Sequence, residues 1–185
     1  MPSKNLLPGI LNDDLEMFFE QDQLHIIHSG KVFNFSQLPY LIVSKIEEEI
    51  NKDQNVINAL NIMHPLSKIK RTEQYAICRF GGLDFNSDIN SDKFQDGEYW
   101  TCPKHGNCPH EGILCKLPII NGIRLNKMQV KIMKFISSDA INEVIAEELL
   151  LPMGTYNKLK KELYSLLGIQ TKQEVSNICR NYNLI

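Results

Sequence analysis

Residues 141–167 read INEVIAEELLLPMGTYNKLKKELYSLL, and this stretch decides the fold that we predict for the last third of the chain. Apolar residues recur every three or four positions in residues 141–150 and again in residues 155–167, which is typical of two helices that each bury one face. Residues 151–154 (LPMG) interrupt the pattern because proline cannot continue a helix. Gly168 then provides a stop signal. The stretch therefore predicts two helices joined by a tight turn.

Two further helices are predicted around this pair. Residues 125–137 place Leu125, Met128, Ile132, Phe135 and Ile136 on one stripe. Residues 171–181 start with Thr171 as a cap and have Glu174 at the capping-box position. The sequence therefore predicts four helices in residues 123–185.

The helix predicted over residues 155–167 has one apolar and one polar face. Its apolar residues, which we expect to face the core, are Tyr156, Leu159, Leu163 and Leu166 or Leu167. The polar residues of the outer face are Thr155, Asn157, Lys158 and Lys161. In a helix-turn-helix, a tight turn joins two short helices, and the second helix enters the major groove of DNA as the recognition helix. The predicted pair has this arrangement, and its second helix is basic.

These helices resemble the C-terminal DNA-binding domain of the LuxR/GerE type, a four-helix helix-turn-helix. The resemblance covers about a third of the chain. The matching residues, in chain order, are Leu125, Gln129-Val130, Ile145-Ala146, residues 151–158 (LPMGTYNK), Leu167-Gly168-Ile169, Lys172-Gln173-Glu174 and Leu184-Ile185.

The resemblance implies a transcriptional regulator that binds double-stranded DNA in a sequence-specific way, often as a homodimer. By position it makes Thr155, Asn157, Lys158 and Lys161 the candidate DNA contacts. Lysines attract phosphates, while asparagine and lysine can reach base edges in the major groove. The alternative is a protein-interaction adaptor that uses the same helices to bind another regulator.

The fourth predicted helix has two possible roles. Val175, Ile178 and Cys179 form an apolar stripe that can pack inward or pair with a second copy of the chain. Packing inward is the more common fate, and Cys179 is then expected to behave as a small buried hydrophobe.

The charge distribution agrees with DNA binding by the last third of the chain. The net charge of the whole chain is −2. Residues 123–185 contain nine Lys or Arg against six Asp or Glu, a net charge of +3, and the preceding residues have a net charge of −5. Contacts to phosphates are therefore expected from the C-terminal helices, since a local basic face is sufficient.

Cysteines cluster just before these helices, where residues 99–115 read YWTCPKHGNCPHEGILC. Zinc prefers four tetrahedral thiolate or imidazole ligands, and turns let a short segment wrap around the ion. We therefore predict a structural Zn²⁺ site that holds a loop-rich segment together. Its expected ligands are Cys78, Cys102, Cys108 and Cys115, with His105 as an alternative to Cys78. Four protein ligands leave no open position for water, so the site is not expected to be catalytic.

Three other interpretations of the cysteines stay open. They can be free buried thiols in an ordinary domain, a redox switch that forms a disulfide under oxidation, or the ligands of an iron–sulfur cluster. A reducing compartment disfavours structural disulfides, which is why a metal is preferred here.

The N-terminal region gives weaker signals. We predict a short helix over residues 12–20, a hairpin over 23–35 with its turn at Ser29-Gly30, and helices over 36–51 and 53–64. Residues 66–100 are expected to be rich in loops. The predicted fold class is thus an α+β N-terminal region (residues 1–98), a cysteine-rich zinc-binding segment (99–118) and an all-α four-helix LuxR-type domain (123–185).

Several functional classes have no support in the sequence. It contains no phosphate-cradling glycine loop, serine-elbow motif or helical pair of metal-binding histidines, so we expect neither an enzyme nor a small-molecule substrate. No apolar run approaches the length of a membrane span, and the N-terminus lacks a secretory signal. A cytoplasmic location without membrane association is therefore expected.

Overall fold

The computed structural model describes residues 6–91, 93–182 and 184–185. The chain folds into two compact units. The first runs to Cys102 and also includes Pro109–Lys116, while the second consists of Pro103–Cys108 and Leu117–Ile185. The segment around the cysteines is therefore shared between the two units.

The first unit is built on an antiparallel sheet of five strands in the order β3-β2-β1-β4-β5. The strands are Leu15–Glu20 (β1), Gln23–His28 (β2), Lys31–Asn34 (β3), Ile89–Asn90 (β4) and Lys93–Phe94 (β5). The register pairs Leu15 with His28 and Glu20 with Gln23 in the first hairpin. In the second hairpin His28 pairs with Lys31.

Two-residue turns connect β1 to β2 and β2 to β3. Gln21-Asp22 has φ angles of 50° and 59°, and Ser29-Gly30 has 47° and 75°. Positive φ at both positions is a type I′ turn, whose twist matches that of the strands it joins. The hairpin predicted around Ser29-Gly30 is confirmed. The helix predicted over residues 12–20 is wrong, because the chain there pairs with β2 as strand β1.

Three helices pack in the first unit: Tyr40–Ile50 (α1), Gln54–Met63 (α2) and Lys68–Phe80 (α3), with a short 3-10 helix at Phe35–Gln37. The helix predicted over residues 36–51 begins only after Pro39, because the residue before a proline is disfavoured in helical geometry. The helix predicted over 53–64 is present, and Asp53 caps it by accepting a hydrogen bond from the Asn55 N–H at 2.9 Å.

Helix α3 was not predicted and contributes much of the core. Ser67 caps it, and Thr72, Tyr75, Ala76 and Phe80 are buried along one face. The core of the first unit is made by α3, the other two helices and one face of the sheet. It includes Leu15, Met17, Leu24, Ile26, Phe35, Ile46, Val56, Leu60, Tyr75, Ala76, Phe80, Ile89 and Leu114.

In the part of the second unit that the structure describes there are four helices and a small hairpin. Its elements are Ile119–Ile120 (β6), Ile123–Arg124 (β7), Lys127–Ser137 (α4), Asn142–Glu148 (α5), Met153–Leu167 (α6) and Lys172–Asn181 (α7). The two strands are joined by Asn121-Gly122, whose φ angles of 51° and 78° again give a type I′ turn.

The predicted fold class was wrong. In the described residues the chain is a mixed α/β protein with seven α-helices and a five-stranded antiparallel sheet. The C-terminal unit is not an all-α four-helix domain, since it also contains the β6–β7 hairpin and Pro103–Cys108.

Within residues 6–91, 93–182 and 184–185, none of the helices combines the length and the apolar character that crossing a membrane requires.

Candidate nucleic-acid interface

A four-residue connection, residues 149–152, joins α5 to α6. Leu150 adopts φ 55°, in the left-handed region that favours glycine. Its N–H donates to the Glu147 carbonyl, and the Leu151 N–H donates to the Ala146 carbonyl, both at 2.9 Å. Pro152, with φ −56°, is the cap residue directly before α6. The left-handed residue turns the chain within this short connection, and α6 packs against α5.

The two faces of α6 differ as the sequence predicted. Tyr156, Leu163 and Leu167 are buried. The four candidate DNA contacts, Thr155, Asn157, Lys158 and Lys161, are all exposed. At 3.6 residues per turn these four lie within an arc of about 160° on the side opposite the buried residues. The structure therefore brings all four to one surface of the second unit.

The lysines of α6 have different environments. Lys160 donates to Oδ1 of Asn142 at 3.0 Å, and its ammonium lies 5.6 Å from the centre of the Tyr164 ring. The ammonium group of Lys160 is therefore engaged in contacts within the second unit. Lys158 lies 3.9 Å from the Glu162 carboxylate in a solvent-exposed pair. Such a pair contributes only about 0.3–0.5 kcal/mol, so it does not hold Lys158 away from another anion.

The apolar stripe of α7 is largely used within the second unit. Val175 and Cys179 are fully buried and Ile178 is half-buried. Burial raises the pKa of the Cys179 thiol. This environment suits the small buried hydrophobe expected from the sequence. Pairing of α7 with a second copy of the chain stays a prediction.

The five cysteines, all in described parts of the chain, form no disulfide. Cys78 is half-buried on α3 and accepts a hydrogen bond from Nε2 of Gln74 at 3.3 Å. Cys115 is buried, and its Sγ accepts a hydrogen bond from the Gly112 N–H at 3.5 Å. Among the described residues no three Cys, His, Asp or Glu side chains are grouped so that they could hold a metal ion.

The predicted fold class is therefore also wrong about a zinc-binding segment in the described residues, whereas the binding of Zn²⁺ itself stays a prediction. Its expected ligands, Cys78, Cys102, Cys108 and Cys115 with His105 as the alternative, are all described, and they are not assembled into a metal site. His105 and Cys108 belong to the second unit, whereas the other three cysteines belong to the first. The segment also has apolar anchors, because Tyr99, Trp100 and Leu114 are buried. These buried side chains help to hold the loop-rich segment together, which the prediction assigned to the metal alone.

A group of carboxylates in the first unit was not predicted. Glu16 of β1 is only 1% exposed, and its Oε1 accepts a hydrogen bond from the Asp84 N–H at 2.9 Å. The Met17 N–H donates to Asp88 at 2.6 Å, and the Gly82 N–H donates to Glu98. The first two bonds attach the segment that follows α3 to strand β1, and the third joins the end of α3 to the segment after β5.

The pKa values of these carboxyl groups are displaced upward. Burial raises the pKa of Glu16 to about 8 and that of Glu98 to about 8, and nearby carboxylates add repulsion. Burial and the charge of Glu16 also raise the pKa of Asp88 well above its usual range. The sequence carries no signal for this group, because Asp88 and Glu98 lie in a polar stretch, which normally indicates a solvated surface, and Glu16 lies far from them in the chain.

In comparisons with known proteins, no family model matches this chain, and no curated protein and no solved structure matches it either. The resemblance of residues 125–185 to a LuxR-type domain therefore stays a prediction from the residues quoted above.

Proposed function

We propose that this chain is a DNA-binding regulator of transcription, with no enzymatic role, and that α6 is its recognition helix. The observation that carries the proposal is the common exposed surface of Thr155, Asn157, Lys158 and Lys161 on a helix that a tight turn joins to α5. A helix presented in this way fits the major groove of double-stranded DNA.

The four side chains suit two kinds of DNA contact, to base edges and to phosphates. Asn157 can pair with an adenine edge, and Lys158 can donate to guanine acceptors in the major groove. Lys161 and the hydroxyl of Thr155 suit phosphate oxygens, which position the helix without reading sequence. The internal bonds of Lys160 help to keep α6 in place against α5.

The test is a titration of the full chain against random and selected DNA sequences at two salt concentrations. We expect Lys158→Glu to abolish tight binding, because it places a negative charge on the surface of α6 that faces the polyanionic DNA. A matched control is Lys70→Glu, which reverses an exposed lysine of the first unit and is expected to leave the affinity unchanged. Asn157→Ala should change the preferred base at one position, a discrimination of about 1–3 kcal/mol. A folded wild-type chain that binds no DNA at low salt contradicts the proposal.

A second candidate is a protein-interaction adaptor, favoured by exposed apolar residues around α5. Ile141 is 62% exposed, Val144 is 43% exposed and Leu150 is 90% exposed. Such a surface is suited to a protein partner rather than to phosphates. This candidate replaces the first if the folded chain binds no DNA and Lys158→Glu has no effect on its binding to a partner protein.

A further inference from the structure

Helix α4 presents a face made of lysines. Lys127 and Lys131 are exposed and Lys134 is half-buried, and the sequence of this helix contains no Asp or Glu. At 3.6 residues per turn the three lysines lie within an arc of about 60°. Ile132 and Met133 are buried on other sides of the helix. We call Lys127 and Lys131, together with Lys104, the α4 lysine face.

Lys127 occupies a position that helix stability does not favour. It is the first residue of α4, directly after the cap Asn126, and the first turn contains no acidic residue. The aligned peptide dipoles make this end of the helix positive, so that a cation there is unfavourable by about 0.3–1 kcal/mol. Asn126 and Gln129 already cap the helix through reciprocal hydrogen bonds. The placement therefore adds positive potential at a small cost in stability.

Lys104 joins this surface through Pro103–Cys108, which folds with the second unit. A Cβ atom added to Gly106 would lie 3.8 Å from Cε of Lys131, so the segment runs beside the exposed part of α4. The Asn107 N–H donates to the Lys104 carbonyl at 3.1 Å and closes a turn there. Lys104 itself is exposed.

Helix α5 has the opposite charge. Its sequence contains Glu143, Glu147 and Glu148 and no Lys or Arg, and all three glutamates are exposed. This helix precedes the proposed recognition helix, yet it would repel phosphates. Attraction for the DNA backbone in the second unit must therefore come from other elements, and α4 is the helix with the largest excess of lysines over acids.

We propose that the α4 lysine face is a second phosphate-binding surface that contacts the backbone of the duplex whose bases α6 reads. The inference rests on the proposed function of α6 and adds the place where the duplex is anchored. Because phosphates are the same at every step, this surface contributes affinity without sequence preference.

The experiment measures the affinity of the full chain for a selected and a random duplex over a range of salt concentrations. Each lysine–phosphate contact contributes about 0.9 to the slope of log affinity against log salt concentration. The double variant Lys127→Gln/Lys131→Gln is expected to reduce the magnitude of the slope by about 1.8, and a further Lys104→Gln by up to about 0.9. The affinities for both duplexes should fall by the same factor.

The matched control is Lys52→Gln/Lys70→Gln, which removes the same charge from exposed lysines of the first unit and should leave the slope unchanged. If the wild type binds DNA and the α4 variants keep its slope, the inference is overturned while the proposed function stands. A loss confined to the selected duplex also overturns it. A wild type that binds neither duplex overturns both.

The variant Lys127→Glu separates binding from folding. It places an acidic residue in the first turn of α4, where it is expected to raise the thermal midpoint slightly. The same variant should weaken DNA binding at low salt. A lower midpoint together with weaker binding would indicate that Lys127 acts through the fold, which contradicts the inference.

Discussion

The hydroxyl of Tyr156, on α6, donates a hydrogen bond to Oδ1 of Asn142, the first residue of α5, over 3.1 Å. Tyr156 is fully buried as a residue, and burial raises the pKa of its hydroxyl, so that it keeps its proton. The same oxygen of Asn142 accepts a bond from Lys160. One amide oxygen therefore fixes two positions of α6 relative to α5.

Replacing Asn142 with alanine should loosen α6 against α5. The change leaves the Tyr156 hydroxyl without its acceptor, at a cost of about 1–2 kcal/mol in the free energy of unfolding. Urea denaturation followed by circular dichroism measures the loss. Asn177→Ala, an exposed position of α7, is the control and should cost much less.

A double-mutant cycle with Tyr156→Phe isolates this bond. If the hydrogen bond causes the loss, Asn142→Ala should cost less in the Tyr156→Phe background than in the wild type. Equal costs in the two backgrounds would contradict this explanation.

Stability should decrease as the pH rises from about 5 to 9. The pKa of Glu16 and that of Glu98 are raised to about 8, from a value near 4.5 in the unfolded chain. Between these two pKa values the carboxyl groups lose their protons in the unfolded state and keep them in the folded state. Each such carboxyl group therefore lowers the free energy of unfolding by roughly 1.4 kcal/mol per pH unit. Urea denaturation at several pH values measures the slope.

The variant Glu16→Gln removes one titrating group and retains an oxygen to accept the Asp84 N–H. It should make the slope shallower by up to about 1.4 kcal/mol per pH unit. Glu20→Gln, at the exposed end of the same strand, should not change the slope. A stability that is flat or rising over this range would show that the buried carboxyl groups are ionised in the folded protein.

Local patterns predicted the helices of the second unit well. The periodicity placed helices over residues 125–137, 141–150, 155–167 and 171–181, and each overlaps one of α4 to α7. These helices have clear stop signals, such as Gly168 in the left-handed conformation. The dipeptide Asn121-Gly122 is an equally strong signal for a hairpin turn, and the β6–β7 hairpin that it forms was not predicted.

Other features depend on contacts that sequence patterns do not reveal. Strand β1 contains Leu15, Glu16 and Met17, all buried, so it shows no alternation of apolar and polar residues. Helix α3 is mostly polar, and even Arg79 is buried in it. Its apolar residues are therefore too few to give a clear helical periodicity. The cysteines are close in sequence, but sequence distance could not show that Cys108 folds with a different unit from Cys102 and Cys115.

Asparagine in place of Leu150 should stabilise the second unit. Leu150 has φ 55°, a conformation that costs an ordinary L-residue about 1–2 kcal/mol, whereas asparagine adopts it more readily. The side chain is 90% exposed, so little burial is lost. We expect a higher thermal midpoint for Leu150→Asn. The matched control is Leu166→Asn within α6, which should lower the midpoint, and a lower midpoint in both variants would contradict the argument.

Glycine-to-alanine changes at positions 81 and 154 should have opposite effects. A Cβ on Gly81 would lie 2.5 Å from Cε2 of Trp100 and 2.4 Å from the Ile77 carbonyl oxygen. Both the ring and the backbone would have to move, at a cost of about 1–3 kcal/mol. Gly154 lies in the first turn of α6, and a Cβ there would meet nothing within 4 Å.

Alanine at position 154 should therefore stabilise α6 by about 0.5 kcal/mol, because it restricts the unfolded chain and favours the helix. Thermal denaturation of both variants against the wild type measures the two signs. Since both variants replace glycine with alanine, a difference between their thermal midpoints reflects the surroundings of the two glycines. A tolerated Gly81→Ala would mean that Trp100 does not pack on the end of α3, and a destabilising Gly154→Ala would mean that the first turn of α6 is not helical.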